Sequence, residues 1–296
     1  MRDASYDFQD PAPATGGNAQ DCGPPPAEEL PETATKPVEW TCVVPFFNEA
    51  PQLPRTLTSL ADQNVPFKLV LVDNGSTDGS GAVAQSIASD LGLDHVLVEE
   101  RRPGKVAALA AGIAVVATLL IATCDADTFY PPDYLNLGGQ LLSREGIVAV
   151  GAFLAPEASR RASNSFAVWR RWLAALLWPT QCHTGGAGQM FRADALRRVG
   201  GFCDKRWNLV LEDHEIFARL SAIGRIGYSR ALWCVPTKRR HRRRQVGWSP
   251  SERFVYRCTP IGRLNAFFTH FLGPRLMIRG HSSERLRADP SNPGQR

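Results

Sequence analysis

Short apolar runs alternate with longer helix-like stretches along the chain. Residues 41–45, 68–73, 95–98, 119–124 and 147–153 are rich in β-branched side chains and end in small or acidic residues, which predicts strands. Helices are predicted between them, over 52–63, 79–91, 105–117 and 134–144. The strand runs are apolar throughout instead of alternating, as strands must be when helices cover both faces of a mostly parallel sheet. The pattern therefore predicts an α/β fold with a Rossmann-like, doubly wound sheet and helices on both faces.

Two stretches invite a membrane reading. Residues 106–124 carry no charge, but Ala and Gly make the run only mildly hydrophobic. Its flanks, Lys105 and two Asp, suit a helix followed by a strand better than a span. Residues 169–178, WRRWLAALLW, form an amphipathic segment with three Trp and two Arg, expected to pack on the core as a helix. Residues 254–278 are apolar with interspersed Arg, and either pack on the core or rest on a membrane surface.

Composition adds boundaries to this picture. With 296 residues, 44% hydrophobic and 21% charged, the chain can bury a sizeable core. Residues 1–37 are Pro- and Gly-rich, carry Asp3, Asp7 and Asp10 near the start and have no apolar h-region, which predicts a disordered tail and no secretory signal. A catalytic domain is expected over 38–235, and a basic flap with a helical extension over 236–296. The seven cysteines are scattered and contain no C-x-x-C pair, so they read as buried thiols in a reducing, cytoplasmic setting.

The net charge of +5 conceals a segregation. From Arg225 onward there are 16 Lys or Arg against three acids, which leaves the rest of the chain net negative by eight. A basic C-terminal segment suits phosphate-rich ligands, anionic lipid or nucleic acid, and composition alone does not choose among them.

Candidate chemistry lies where the strands end, because ligands bind at the carboxyl edge of an open parallel sheet. Four consecutive strands deliver polar loops there: Phe46-Phe47-Asn48-Glu49, Asp73-Asn74-Gly75-Ser76-Thr77-Asp78-Gly79, Arg101-Arg102-Pro103-Gly104-Lys105 and Asp125-Ala126-Asp127. Each alone has a plain structural explanation as a turn, a helix cap or a solvated charge. The ordered set VVPFFNEAPQLPRTLTSL, LVLVDNGSTDGS, RRPGKVAALAAGI and CDAD, with GAGQMFRADALRRVGGF and LVLEDHEIFARLSAIG farther on, resembles the family 2 glycosyltransferases, which have the GT-A fold. The resemblance spans roughly residues 40–228.

That resemblance implies an inverting, metal-dependent transfer of a single hexosyl or N-acetylhexosaminyl unit from a nucleotide-diphospho-sugar, foremost a UDP-sugar, to an acceptor hydroxyl. It implies Asp127 as ligand of the Mn or Mg ion, with Asp125 on the ribose or on the metal through water. Pro45, Phe47 and Glu49 would border the nucleoside, Asp73 would hydrogen-bond the base, and Lys105 would meet a phosphate or the base edge. Asp213 would be the general base and Glu212 its acceptor-orienting neighbour. Taken alone, Glu212-Asp213 reads equally as acids welcomed by a helix N-terminus.

This sequence has Asp73-Asn74 where the family often has Asp-Asp, and Gln245-Val246-Gly247-Trp248 falls short of the processive Q-x-x-R-W pattern. Within the basic run 238–248, Arg243 or Arg244 would contact the diphosphate and His241 would complete the metal shell. Residues 185–188, GGAG, would leave room for the sugar and acceptor, with His183 and Thr184 beside them. The aromatic and basic C-terminal region suits a lipid-linked or glycolipid acceptor, reached by a cytoplasmic enzyme peripheral to the inner face of the membrane, with no nucleic acid as partner. A sugar nucleotidyltransferase and a non-catalytic nucleic-acid- or membrane-binding protein are the alternatives.

Overall fold

The computed structural model describes residues 39–156, 165–237 and 248–283. The predicted N-terminal tail lies outside them. The first half comprises β1 (Trp40–Phe46), α1 (Leu53–Ala61), β2 (Phe67–Asp73), α2 (Ser80–Asp90), β3 (His95–Glu99), α3 (Lys105–Ala114) and β4 (Leu120–Thr123). There follow β5 (Thr128–Phe129), α4 (Tyr134–Leu142), β6 (Ile147–Leu154), α5 (Phe166–Leu177), β7 (Gln189–Arg192), α6 (Ala193–Arg198), α7 (Glu212–Ser221), β8 (Arg225–Pro236) and α8 (Pro250–Cys258).

One mixed, mostly parallel sheet runs in the order β3-β2-β1-β4-β7-β6-β8-β5. β1 pairs in parallel with β2 and β4, and β2 with β3, so the ends of all four predicted loops share one edge. β7 is antiparallel to both β4 and β6, a reversal the apolar pattern does not announce. Alternate strand residues feed two core layers. Cys42, Val44, Leu69 and Leu71 meet Leu53, Leu57 and Leu60 of α1, whereas Val43, Val70 and Val72 meet α3 and α7 through Val106, Leu109 and Phe217. α3 lies so close to the sheet that a Cβ on Gly112 would stand 2.5 Å from Val43 and 2.7 Å from Val72.

The uncharged stretch 106–124 divides into α3 and β4 as expected. Among the described residues, no helix is long and apolar enough to cross a membrane. A third cluster joins Tyr256 of α8, Phe267, Phe268, Leu272 and Leu276 to Trp207, Leu209 and Ala218 of α7. The C-terminal helices are thus built into the body of the protein. The cysteine expectation needs correcting at two positions, since Cys258 is exposed and Cys203 is disulfide-bonded; Cys42, Cys124, Cys182 and Cys234 are buried free thiols.

Candidate active site

The loops after β1 and β2 are tied into one rim. Asn48 takes a left-handed backbone conformation (φ 53°), and its Oδ1 accepts the Thr77 amide at 2.8 Å. The Glu49 amide donates to Ser80 Oγ at 2.9 Å, and the Ser76 amide donates to Asp73 Oδ1 at 2.7 Å. Pro45, Phe47, Glu49 and Asp73 all stand on this rim, partly exposed. Asn74, by contrast, turns inward and is buried. Its Nδ2 donates to the carbonyls of Glu100 (2.9 Å) and Arg102 (2.7 Å), and its Oδ1 accepts the Gly104 amide (2.9 Å). A neutral amide is needed here because the side chain must donate and accept at once, which a carboxylate cannot do. The departure from Asp-Asp therefore serves the fold of the loop leading to Lys105.

Lys105, the first residue of α3, is the hub of the charged centre. Its Nζ lies 2.5 Å from Asp125 Oδ1 and 3.6 Å from Glu212 Oε1, bridging the end of β4 to the start of α7. Burial alone would lower the ammonium's pKa, but Asp125, Glu212 and Asp213 outweigh burial and hold it above its ordinary value. The close packing explains the glycine loop 185–188. A Cβ on Gly186 would lie 2.8 Å from Lys105 Nζ and 3.5 Å from Glu212 Oε1, so a side chain at this position would crowd the charged cluster.

Asp125 and Asp127 are both partly exposed, on either side of buried Ala126. The Asp125 amide donates to Tyr130 Oη at 2.8 Å, and that hydroxyl donates onward to the Ala187 carbonyl at 3.0 Å. The turn carrying both carboxylates is thereby fastened to the glycine loop. Two carboxylates at an open rim form a hard, all-oxygen donor set that fits Mg or Mn and would leave most positions to other oxygens. The cation beside Asp125 in this structure is the Lys105 ammonium, which offsets the repulsion between the two acids.

Glu212 and Asp213 begin α7 directly after Leu211, whose φ of 66° is the left-handed region that non-glycine residues seldom occupy. Gln189 Nε2 holds the turn by donating to the Asp213 carbonyl at 2.9 Å, and the His214 amide donates to Asp213 Oδ1 at 2.9 Å. Burial pushes Glu212 up to about 7 and Asp213 up to about 6 against the opposing pull of Lys105. The pair shares one field and titrates jointly. His214 is pushed down to about 3 by burial, with Arg253 adding repulsion, so it is neutral. Its ring packs against Trp248 and Tyr256, with centroids 5.1 and 5.7 Å away.

Thr184 is buried beside the glycine loop and donates its hydroxyl to the Ala152 carbonyl, and the partly buried His183 ring is held by the Trp178 carbonyl at 2.8 Å. His241, Arg243 and Arg244 lie outside the described residues. Tyr130, Gln189 and His214 hold the segments that carry the acids, and no local sequence pattern marks them. Nor does any mark Cys182, whose sulfur lies with a carboxylate oxygen of Asp213 and a ring nitrogen of His214, all within 4.8 Å of one another. Gln189 stood inside a quoted motif, but its role depends on a contact 24 residues away that spacing does not reveal.

The model of a known family, glycosyl transferase family 2, matches residues 41–200. The chain is 31% identical over 192 residues to the uncharacterized glycosyltransferase YaiP of Escherichia coli (strain K12), covering 59% of this chain and 48% of that protein. It is 32% identical over 142 residues to undecaprenyl-phosphate 4-deoxy-4-formamido-L-arabinose transferase of Pseudomonas aeruginosa, covering 46% of this chain and 39% of that one. The chain thus spans about half or less of the length of these relatives. Among solved structures, the mannosyltransferase PcManGT of Pyrobaculum calidifontis, in complex with GDP-Man and Mn2+, superposes with a TM-score of 0.58 at 21% identity. That match covers 87% of this chain and 77% of the other, a likeness of fold.

Proposed function

Because the chain belongs to glycosyl transferase family 2, we propose that it moves a single sugar from a nucleoside-diphospho-sugar, with a UDP-sugar foremost, to an acceptor hydroxyl with inversion. The observation that carries this reading is the Lys105 bridge, which joins Asp125 at the end of β4 to Glu212 at the start of α7 in one charged cluster. The rim of Pro45, Phe47, Glu49 and Asp73 receives the nucleoside, with the Asp73 carboxylate toward the base. Asp127, with Asp125, would hold Mg or Mn, and a divalent cation there would neutralise charge accumulating on the departing diphosphate. Lys105 adds positive charge on the same side.

Asp213 accepts the proton of the acceptor hydroxyl as that oxygen bonds to the anomeric carbon. The sugar's bond to the diphosphate breaks, and its electron pair leaves with the nucleotide. One displacement from the opposite face inverts the anomeric centre. Burial raises the basicity of Asp213, which brings it nearer the range of an effective general base. Glu212, next to it and facing Lys105, orients the acceptor. The name of the undecaprenyl-phosphate transferase, together with the aromatic and basic C-terminal region, supports a lipid-linked or glycolipid acceptor and an enzyme working at the cytoplasmic face of a membrane.

A panel of UDP-, GDP- and dTDP-sugars, assayed for nucleotide release with Mn, with Mg and with chelator, tests the reading. One donor should turn over with metal and stop with chelator. Absence of both turnover and saturable binding across the panel would dismiss it. Pyrophosphate release from UTP and a sugar phosphate would favour nucleotidyl transfer instead.

A further inference from the structure

α5 carries an exposed apolar stripe that no part of the described fold covers. Phe166, Trp169, Leu173, Leu176 and Leu177 are 73%, 42%, 38%, 58% and 62% exposed. At 100° per residue these five positions fall within about a 100° arc. Val168 and Ala175, on the opposite side, are buried against Phe153 and Val235. The stripe is thus a second apolar face on a helix already docked by its first. The Phe166 and Trp169 rings stack with centroids 5.9 Å apart, which presents a broad aromatic surface at one end.

The chemistry surrounding the stripe selects the partner. No acid occurs over residues 165–184 or 253–283, whereas Arg170, Arg253, Arg257, Arg263 and Arg275 are all exposed there. The two segments adjoin in space. The Arg257 guanidinium lies 5.2 Å from the centre of the Trp178 ring, and Gln181 Nε2 donates to the Tyr256 carbonyl at 3.0 Å. α8 adds Phe254 (69% exposed), and the helix Gly273–Ile278 adds Met277 and Ile278. Its end is held to the first turn of α8 by Arg279 Nη2, 2.8 Å from Glu252 Oε1. Exposed Leu, Phe and Trp beside these arginines is the composition of an interfacial element on an anionic bilayer.

We propose that α5, flanked by the arginines of α8 and of residues 263–275, docks the protein on an anionic lipid surface, deepening the proposed use of a lipid-linked acceptor. The face is continuous with the catalytic centre. From the end of α5 the chain passes through Gln181 and Cys182, and the Cys182 sulfur stands within 4.8 Å of a carboxylate oxygen of Asp213. An acceptor whose phosphate rests among the headgroups would find Arg257 at the junction and the α7 acids a few residues inward.

The test is cosedimentation of the full chain with vesicles of phosphatidylcholine alone and of phosphatidylcholine with phosphatidylglycerol, at low and high salt. Binding is expected only with the anionic lipid and should weaken in salt. Leu173→Glu with Leu176→Glu should lower partitioning at least about tenfold, because each buried leucine and the absence of added negative charge matter at an interface. Arg253→Glu with Arg257→Glu should abolish the salt-sensitive part. Circular dichroism and nucleotide release without acceptor should be unchanged in the leucine pair, which shows that the fold and donor site persist. No binding to anionic vesicles, or undiminished binding by the leucine pair, would overturn the proposal. So would conversion of a dimer to a monomer by that pair, which would identify the covering surface as a second copy. Loss of donor turnover in the wild type with vesicle binding intact would refute the catalytic reading and leave the docking face standing.

Discussion

The carboxylates of the site stand in different surroundings, and the roles proposed for them differ accordingly. Asp127 stands at the rim where a metal and diphosphate would meet, whereas Asp213 is set inward beside Lys105 and the Gln189 amide. Asp127→Ala should therefore abolish metal-dependent donor binding. Asp213→Asn should leave the donor's Kd nearly unchanged in calorimetry and reduce turnover at least about a hundredfold, the scale of general-base loss. The raised pKa of Asp213 also predicts a pH signature. The base form fills as pH rises through about 6, so turnover should climb on that limb. Stability should move the other way. Asp213 binds its proton more tightly folded, at about 6, than at its ordinary value of 3.8, so its contribution is complete below about 3.8 and lost as pH rises through 6. Asp213→Asn should thus raise Tm at pH 8, with the gain shrinking toward pH 4. Removing the ammonium in Lys105→Ala should shift the acid limb of the pH–rate profile upward, since Lys105 is what holds both α7 acids down.

At the scale of elements, the sequence announced the strands and the loops they deliver but not what fastens those loops together. β1 to β4 and α1 to α4 stand within a few residues of their expected bounds, because an apolar run or a helical stretch is a local property. β5, the reversal at β7 and the twelve-residue β8 escaped, since their identity as sheet members depends on partners distant in the chain. The rim residues and the acids of α7 were legible for the same local reason, through their motifs. Tyr130, Gln189 and Leu211 were not, because a hydroxyl bridge, an amide contact and a left-handed backbone become visible only when the chain is folded. Asn74 is the instructive case, visible in the sequence only as a departure from Asp-Asp and found holding three backbone groups of the β3–α3 loop. Asn74→Asp exchanges two donated hydrogen bonds for a carboxylate facing two carbonyls. It should cost about 1–3 kcal/mol in urea unfolding, and it should weaken donor binding by loosening the loop that carries Lys105.

Across the whole molecule, the acids proposed for catalysis are held by the C-terminal helices as well as by the sheet. The segment before α7 is clasped by the end of the described chain. The Val210 amide donates to the His281 carbonyl at 3.1 Å, the Ser283 amide to the Asn208 carbonyl at 3.0 Å, and the Lys105 amide to Ser283 Oγ at 2.9 Å. Removing everything beyond Arg253 would strip this clasp together with Tyr256, Phe267 and Phe268, so such a truncation would disturb the site whatever its effect on lipid. Point substitutions separate the two roles that this apolar, arginine-rich region combines. Phe268 is wholly buried, with its ring against Trp207, Tyr256 and Phe267 at 5.5, 5.8 and 5.3 Å. Phe254, on the neighbouring helix, is 69% exposed. Phe268→Ala should cost about 3–5 kcal/mol of stability through lost burial and a cavity. It should also lower turnover, because Leu209 and Ala218 of the same cluster flank the start of α7 and lie within it. Phe254→Ala should change stability by no more than about 0.5 kcal/mol and leave nucleotide release intact, while weakening attachment to anionic vesicles. Urea unfolding, nucleotide release and cosedimentation on the two variants would give opposite patterns. Equal losses of stability would instead mean that the outer surface of α8 is part of the core.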